Sequence, residues 1–147
     1  MANIIYQKGI VDLLTTAKTW GAGTWKCALE RSTSTYTPNK DDDTMLNMSG
    51  LVLITVASYV TATIGTPTVA EVDASDLVKI DAADVDFGTL EAGQIVKAAL
   101  IYRDDGGNGV PLMRIDTDTG GLLPRALGGG NFKLQLSASG LLTVAQA

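Results

Sequence analysis

The strongest constraint on the fold is one stretch near residue 100. Ile95-Val96-Lys97-Ala98-Ala99-Leu100-Ile101-Tyr102 is almost continuously apolar, the pattern of a strand covered on both faces. Asp104-Asp105-Gly106-Gly107-Asn108-Gly109 follows and supplies the residue types that reverse a chain sharply. Val110 to Ile115 then returns as a second apolar run. A chain with this centre places a hairpin inside a sheet and needs further layers on either side of it.

The flanking segments supply such layers in short pieces. The 147 residues include 17 threonines and 16 glycines, which favour strands and turns respectively. Trp25, Cys27 and Leu29 alternate with Lys26, Ala28 and Glu30 over Thr24 to Arg31, the two-residue period of a strand. Phe132, Leu134 and Leu136 alternate with Asn131, Lys133 and Gln135, as in a half-buried antiparallel strand. Further strands are expected at Thr68 to Val72, Leu77 to Ile80, Val85 to Phe87 and Leu141 to Val144. The apolar run Leu51 to Ile64 reads as one bent strand or two short ones, with a buried helix over Leu51 to Val56 as the alternative. The spacing of Ile10, Val11, Leu13, Leu14 and Ala17 predicts a helix over Gln7 to Lys18, ended by Gly21 and Gly23. That helix is either a lid over one end of a sheet or a docking element. Ser32 to Ser49 and Asp116 to Gly130 read as long surface loops. The expected fold is mainly β: a single domain over residues 1–147, built as a small antiparallel β-sandwich or partly closed barrel with one short N-terminal helix.

Composition removes many functions. The chain has no histidine and one cysteine, Cys27, so neither an imidazole-activated nucleophile nor a Cys/His zinc site can be assembled. No internal disulfide can form, and a chain of this size can hold a core without one. The formal net charge is −5, against the basic face that nucleic-acid binding requires. No apolar stretch reaches the length of a membrane span. The opening Met1-Ala2-Asn3-Ile4 lacks the basic and apolar regions of a signal peptide, so a protein made and folded in the cytoplasm is expected.

The remaining polar clusters are weak as sites. Asp116-Thr117-Asp118-Thr119-Gly120 begins like a calcium loop, but the twelfth position, which needs Glu, is Leu127. Asp41-Asp42-Asp43 and the group Asp81, Asp84 and Asp86 read as solvated turn carboxylates. Glu30, Glu71 and Glu91 lie in separate segments with no aromatic platform, so a glycosidase pair is not expected. Gly128-Gly129-Gly130 lacks the lysine and serine or threonine of a phosphate loop. Cys27 reads as a buried, inert thiol. No catalytic, cofactor-binding or metal-binding residue is therefore expected, and no cofactor. Trp20 and Trp25 flank the Gly21-Ala22-Gly23 turn and are either core or interface residues.

Several segments taken together resemble a known family. They are Met1-Ala2-Asn3-Ile4-Ile5-Tyr6-Gln7-Lys8-Gly9 with Val11-Asp12-Leu13-Leu14; Thr24 to Leu29 followed by Tyr36-Thr37-Pro38-Asn39-Lys40-Asp41; Asp84-Val85-Asp86-Phe87; Ala98 to Asp104; and Phe132 to Thr143. In that order and spacing they resemble the head decoration, or cement, proteins of tailed bacteriophages. The likeness departs over Met45 to Thr68, where Ser49-Gly50-Leu51 and Ser58-Tyr59 stand in place of a glycine-rich stretch. The resemblance implies a non-enzymatic protein on the outer surface of the capsid. Its partners would be the major capsid protein and further copies of itself, commonly in a homotrimer. Expected contacts are an N-terminal arm over residues 1–6 (Ile4, Ile5, Tyr6) that adds to a neighbour's sheet or pairs within its own subunit, the loop around Tyr36 and Pro38, and the surface near Trp20 and Trp25. Other readings are a tail-tube, head–tail connector or fibre-base subunit, and a surface module that binds sugar or a divalent ion.

Overall fold

The computed structural model describes residues 3–14, 19–75 and 77–145. It is mainly β, with antiparallel sheets and one short N-terminal helix. The central apolar run becomes β7 (Ile95–Arg103), and the return run becomes β8 (Val110–Ile115). The two pair as a hairpin, with Leu100 opposite Arg114 and a bulge after Ile101. On the other side of β7 lies β2 (Trp25–Arg31), with Cys27 opposite Ile101. β1 (Ile4–Ile5) adds to β8, β3 (Ala62–Thr63) adds to β2, and β9 (Arg125–Ala126) pairs with the Ile95 end of β7. This six-stranded sheet runs β1-β8-β7-β2-β3 and does not close on itself. Two smaller sheets complete the fold. β4 (Thr68–Val72), β5 (Leu77–Asp81) and β11 (Leu142–Ala145) form one, and β6 (Val85–Thr89) with β10 (Asn131–Leu134) forms the other. The described strands exceed the sequence expectation because β1, β3 and β9 are two-residue pieces, too short to leave a periodic signal.

The large sheet is buried on both faces. Trp25, Cys27, Leu29, Ala99, Ile101 and Met113 share its first face and belong to the main core with Phe132, Leu134 and Leu136 of the smaller layers. Ala28 and Leu100 point the other way, into a second cluster with Tyr6, Tyr36 and Met48. Tyr36 and Met48 come from the segment expected to be a free surface loop. That expectation is corrected: residues 32–49 fold back over the second face, because a continuously apolar strand leaves that face uncovered. The second long loop is likewise interrupted, by β9.

The apolar run Leu51 to Ile64 is neither helix nor regular strand over most of its length. It lies along the outer edge of β2 and detaches in the middle. Arg31 N donates to Val52 O and Ile54 N to Leu29 O; further on, Ile64 N donates to Trp25 O. Between these points residues 55–61 leave the edge. The Leu29 N–H, which would otherwise be stranded, donates to the Tyr59 hydroxyl at 2.8 Å. The Gln94 and Glu91 side chains accept from Thr55 N and Ala57 N, and the excursion is held to the loop before β7.

Helix α1 (Gln7–Leu14) is described to Leu14; the expected continuation to Lys18, including Ala17, lies outside the described residues. Its buried residues are Gly9, Asp12 and Leu13, whereas Val11 and Leu14 are exposed. The expected apolar face is thus corrected. The helix lies with Gly9 against the β8 backbone: a Cβ on Gly9 would stand 2.5 Å from Leu112 Cα and closer still to Pro111 O. Backbone rather than a flexible side chain blocks that space. Gly9→Ala is expected to cost about 1–3 kcal/mol by overpacking, read as a lowered urea midpoint at unchanged slope. Tyr59→Phe leaves the Leu29 N–H without its acceptor and is expected to cost about 1–3 kcal/mol in the same measurement.

Candidate functional site

The buried polar groups cluster where the N-terminal segment and the covering loop meet the large sheet. β1 places Ile4 opposite Arg114 and Ile5 opposite Met113, so the N-terminal segment pairs within its own chain. Tyr6 N continues this edge by donating to Leu112 O. The Tyr6 hydroxyl lies 3.0 Å from that of Tyr36, which donates to Asp42 Oδ2 at 2.7 Å and accepts from Asn39 N. Burial pushes both tyrosine hydroxyls above the ordinary phenol range, and the neighbouring Asp42 charge adds to this. Gln7 N donates to Lys40 O and closes the seam between helix and loop.

Two ion-pair groups cross the sheet. Glu30 and Arg114 are both 0% exposed. Arg114 Nε donates to Glu30 Oε2 at 2.8 Å and Nη1 to Asp116 Oδ2 at 3.2 Å, while Lys97 Nζ stands 3.6 Å from Glu30 Oε1. Arg114 Nη2 makes no hydrogen bond. The second group holds α1. Asp12 Oδ2 accepts from Arg103 through Nε at 2.8 Å and Nη2 at 2.7 Å, and Asp12 Oδ1 pairs with Lys8 Nζ. Desolvation alone would raise the Asp12 carboxyl. Hydrogen bonds from Lys8 and Arg103, with their charges, outweigh it and hold the group below the usual carboxylate range.

The chemistry of these groups is cohesive. Glu30 and Asp12 each face a guanidinium: Glu30 joins β2 to β8 across the sheet, and Asp12 ties α1 to β7. The signal that could have revealed them was charge inside strand patterns: Glu30 follows the apolar run Cys27-Ala28-Leu29, and Arg114 interrupts Val110 to Ile115.

The residues expected at an interface are distributed unevenly. Tyr6, Trp20, Trp25 and Tyr36 are buried inside this chain. The tryptophan rings lie 5.0 Å apart, and Trp20 Nε1 donates to Asp81 O at 2.7 Å. Ile4 and Pro38 are half-buried, and Ile5 is exposed. The fold brings Ile4, Ile5, Tyr6 and Tyr36 to one region and places the tryptophans in the main core. Cys27 is buried, and burial pushes its thiol far up.

The acidic clusters are occupied by turn chemistry. Asp118 Oδ1 accepts from Leu122 N and Leu123 N. Asp104 and Asp105 accept backbone N–H groups of the Gly106–Gly109 turn. The Lys26 side chain beside Asp104 and the turn N–H groups at Asp105 hold these carboxyls below their ordinary range. Glu30, Glu71 and Glu91 stand on separate elements. Among the described residues no three His, Cys, Asp or Glu side chains are grouped to hold a metal ion, and no helix is long and apolar enough to cross a membrane.

No family model, curated protein or solved structure matches the chain.

Arg114→Met removes one partner of a fully buried pair and is expected to cost about 3–5 kcal/mol. The double variant Glu30→Leu/Arg114→Met should recover part of that loss, and a double-mutant cycle by urea denaturation measures the coupling. The lowered folded-state pKa of Asp12 predicts a stability contribution present above its unfolded value near 4 and lost as pH falls through the folded one. Asp12→Asn should therefore flatten the acid limb of a stability–pH curve below about pH 4.

Proposed function

We propose that this chain is a non-enzymatic virion structural protein that binds the outer surface of a bacteriophage capsid as a homotrimer and stabilises the shell. The sequence resemblance supports this reading. One structural observation strengthens it: segments that carry the resemblance meet one another. β2 pairs with β7, β10 pairs with β6, and Tyr36 reaches Tyr6. These segments lie beside one another in the fold.

The physical arrangement suits a load-bearing subunit. Ion pairs and tyrosine hydrogen bonds tie the N-terminal segment, the helix and the covering loop to one sheet. Stiff subunits lose less conformational freedom on docking, and repetition by symmetry multiplies modest contacts. The partner is the major capsid protein, and the place of action is the capsid exterior.

The test is assembly. Purified protein is mixed with shells of major capsid protein from tailed phages, sedimented, and assayed for heat resistance of the shells. Co-sedimentation in hundreds of copies per shell with a raised disruption temperature is expected. Binding only to tails, or to no virion component, overturns the proposal. Sedimentation equilibrium of the free protein reads the trimer directly.

A further inference from the structure

We infer that the outer edge of β4 is a strand-addition site for an extended, basic segment of a partner protein. β4 stands at the end of the sheet β11-β5-β4. Its inner edge pairs with β5 without interruption, from Thr68 opposite Asp81 to Val72 opposite Leu77. Among the described residues no backbone hydrogen bond reaches its outer edge. Thr68 to Glu71 are exposed. Proteins ordinarily blunt such an edge with a lysine, a proline or a bulge inside the strand, and Thr-Val-Ala-Glu-Val has none of these.

The face beside this edge is apolar and open. The register sets Val69, Ile80 and Leu142 side by side, with Glu71, Val78 and Val144 two residues along on the same face. Ile80 is buried in the core, while Val69 is 59%, Val78 36% and Val144 58% exposed. A strand added to β4 would extend this face, covering Val69 with one apolar side chain.

Charge selects the occupant. From residue 65 to residue 78 the only charged residues are Glu71, Asp73 and Asp76, with no lysine or arginine. A second copy pairing through its own β4 would bring two such acidic segments within one strand spacing, about 4.8 Å, where like charges oppose pairing. A basic strand meets no such cost. The fitting segment therefore alternates, with an apolar residue facing Val69 and, two residues along, a lysine or arginine facing Glu71. Main-chain hydrogen bonds would hold it and the side chains would set its register. The inference stands apart from the capsid reading: the site needs only a partner with such a segment.

The probes are synthetic nine-residue peptides of alternating valine and lysine, the same peptide with glutamate for lysine, and the lysine peptide N-methylated on alternate amides. Amide chemical shifts of the ¹⁵N-labelled full chain report binding. The lysine peptide should shift Thr68 to Val72, and the other two should not. Glu71→Lys, an exposed change, should weaken the lysine peptide about fivefold, the range of one cross-strand charge pair, and admit the glutamate peptide. Shifts elsewhere, equal binding of all three peptides, or no binding overturns the inference. So does a concentration-dependent dimer mapping to β4, which would assign the edge to a second copy.

Discussion

The two-sided burial of β7 and its neighbours is the constraint from which the rest of the structure follows. A strand with apolar side chains on both faces needs two covers. The first face is covered by the smaller sheets with the tryptophans and Phe132. The second has no sheet to cover it, so residues 32–49 and the N-terminal segment are drawn across it. The covering loop and the Ile4–Tyr6 stretch answer that uncovered face, whereas the helix places Leu13 in the first-face core.

Covering a sheet with irregular chain creates a polar problem, since such chain brings unpaired backbone and charged side chains into a dry place. The solution is a set of specific partners. Tyr36 satisfies Asn39 N and Asp42 while meeting Tyr6. Arg114 takes Glu30 and Asp116, and Arg103 takes Asp12. Buried ion pairs are weak sources of net stability and strong penalties when broken. Glu30–Arg114 joins β2 to β8 within the sheet, and Asp12–Arg103 joins α1 to β7. The Leu29 N–H bound to the Tyr59 hydroxyl is the same solution at the sheet's edge.

The interior is thus committed to cohesion, and the places left for partners are at the periphery. The β4 edge and its exposed Val69 are one such place, while Tyr6, Trp20, Trp25 and Tyr36 are spent within the protomer. Aromatic residues make good interface anchors, but the same ring area makes them good core residues, and composition does not separate the two uses.

Local sequence specified the β class, the central hairpin, the alternation of β2 and β10 and the position of the short helix. Those features rest on local periodicity and turn chemistry, which read within a dozen residues. It also removed histidine- and disulfide-based chemistry outright. Tertiary structure alone decided that residues 32–49 are a cover, that Leu51 to Ile64 is a broken edge, and that Gly9 rather than Val11 or Leu14 faces the sheet. It also decided that Glu30 belongs with Arg114, 84 residues away. In each case the deciding partner is far off in the chain, and a residue's own neighbours carry no record of which distant surface is left uncovered.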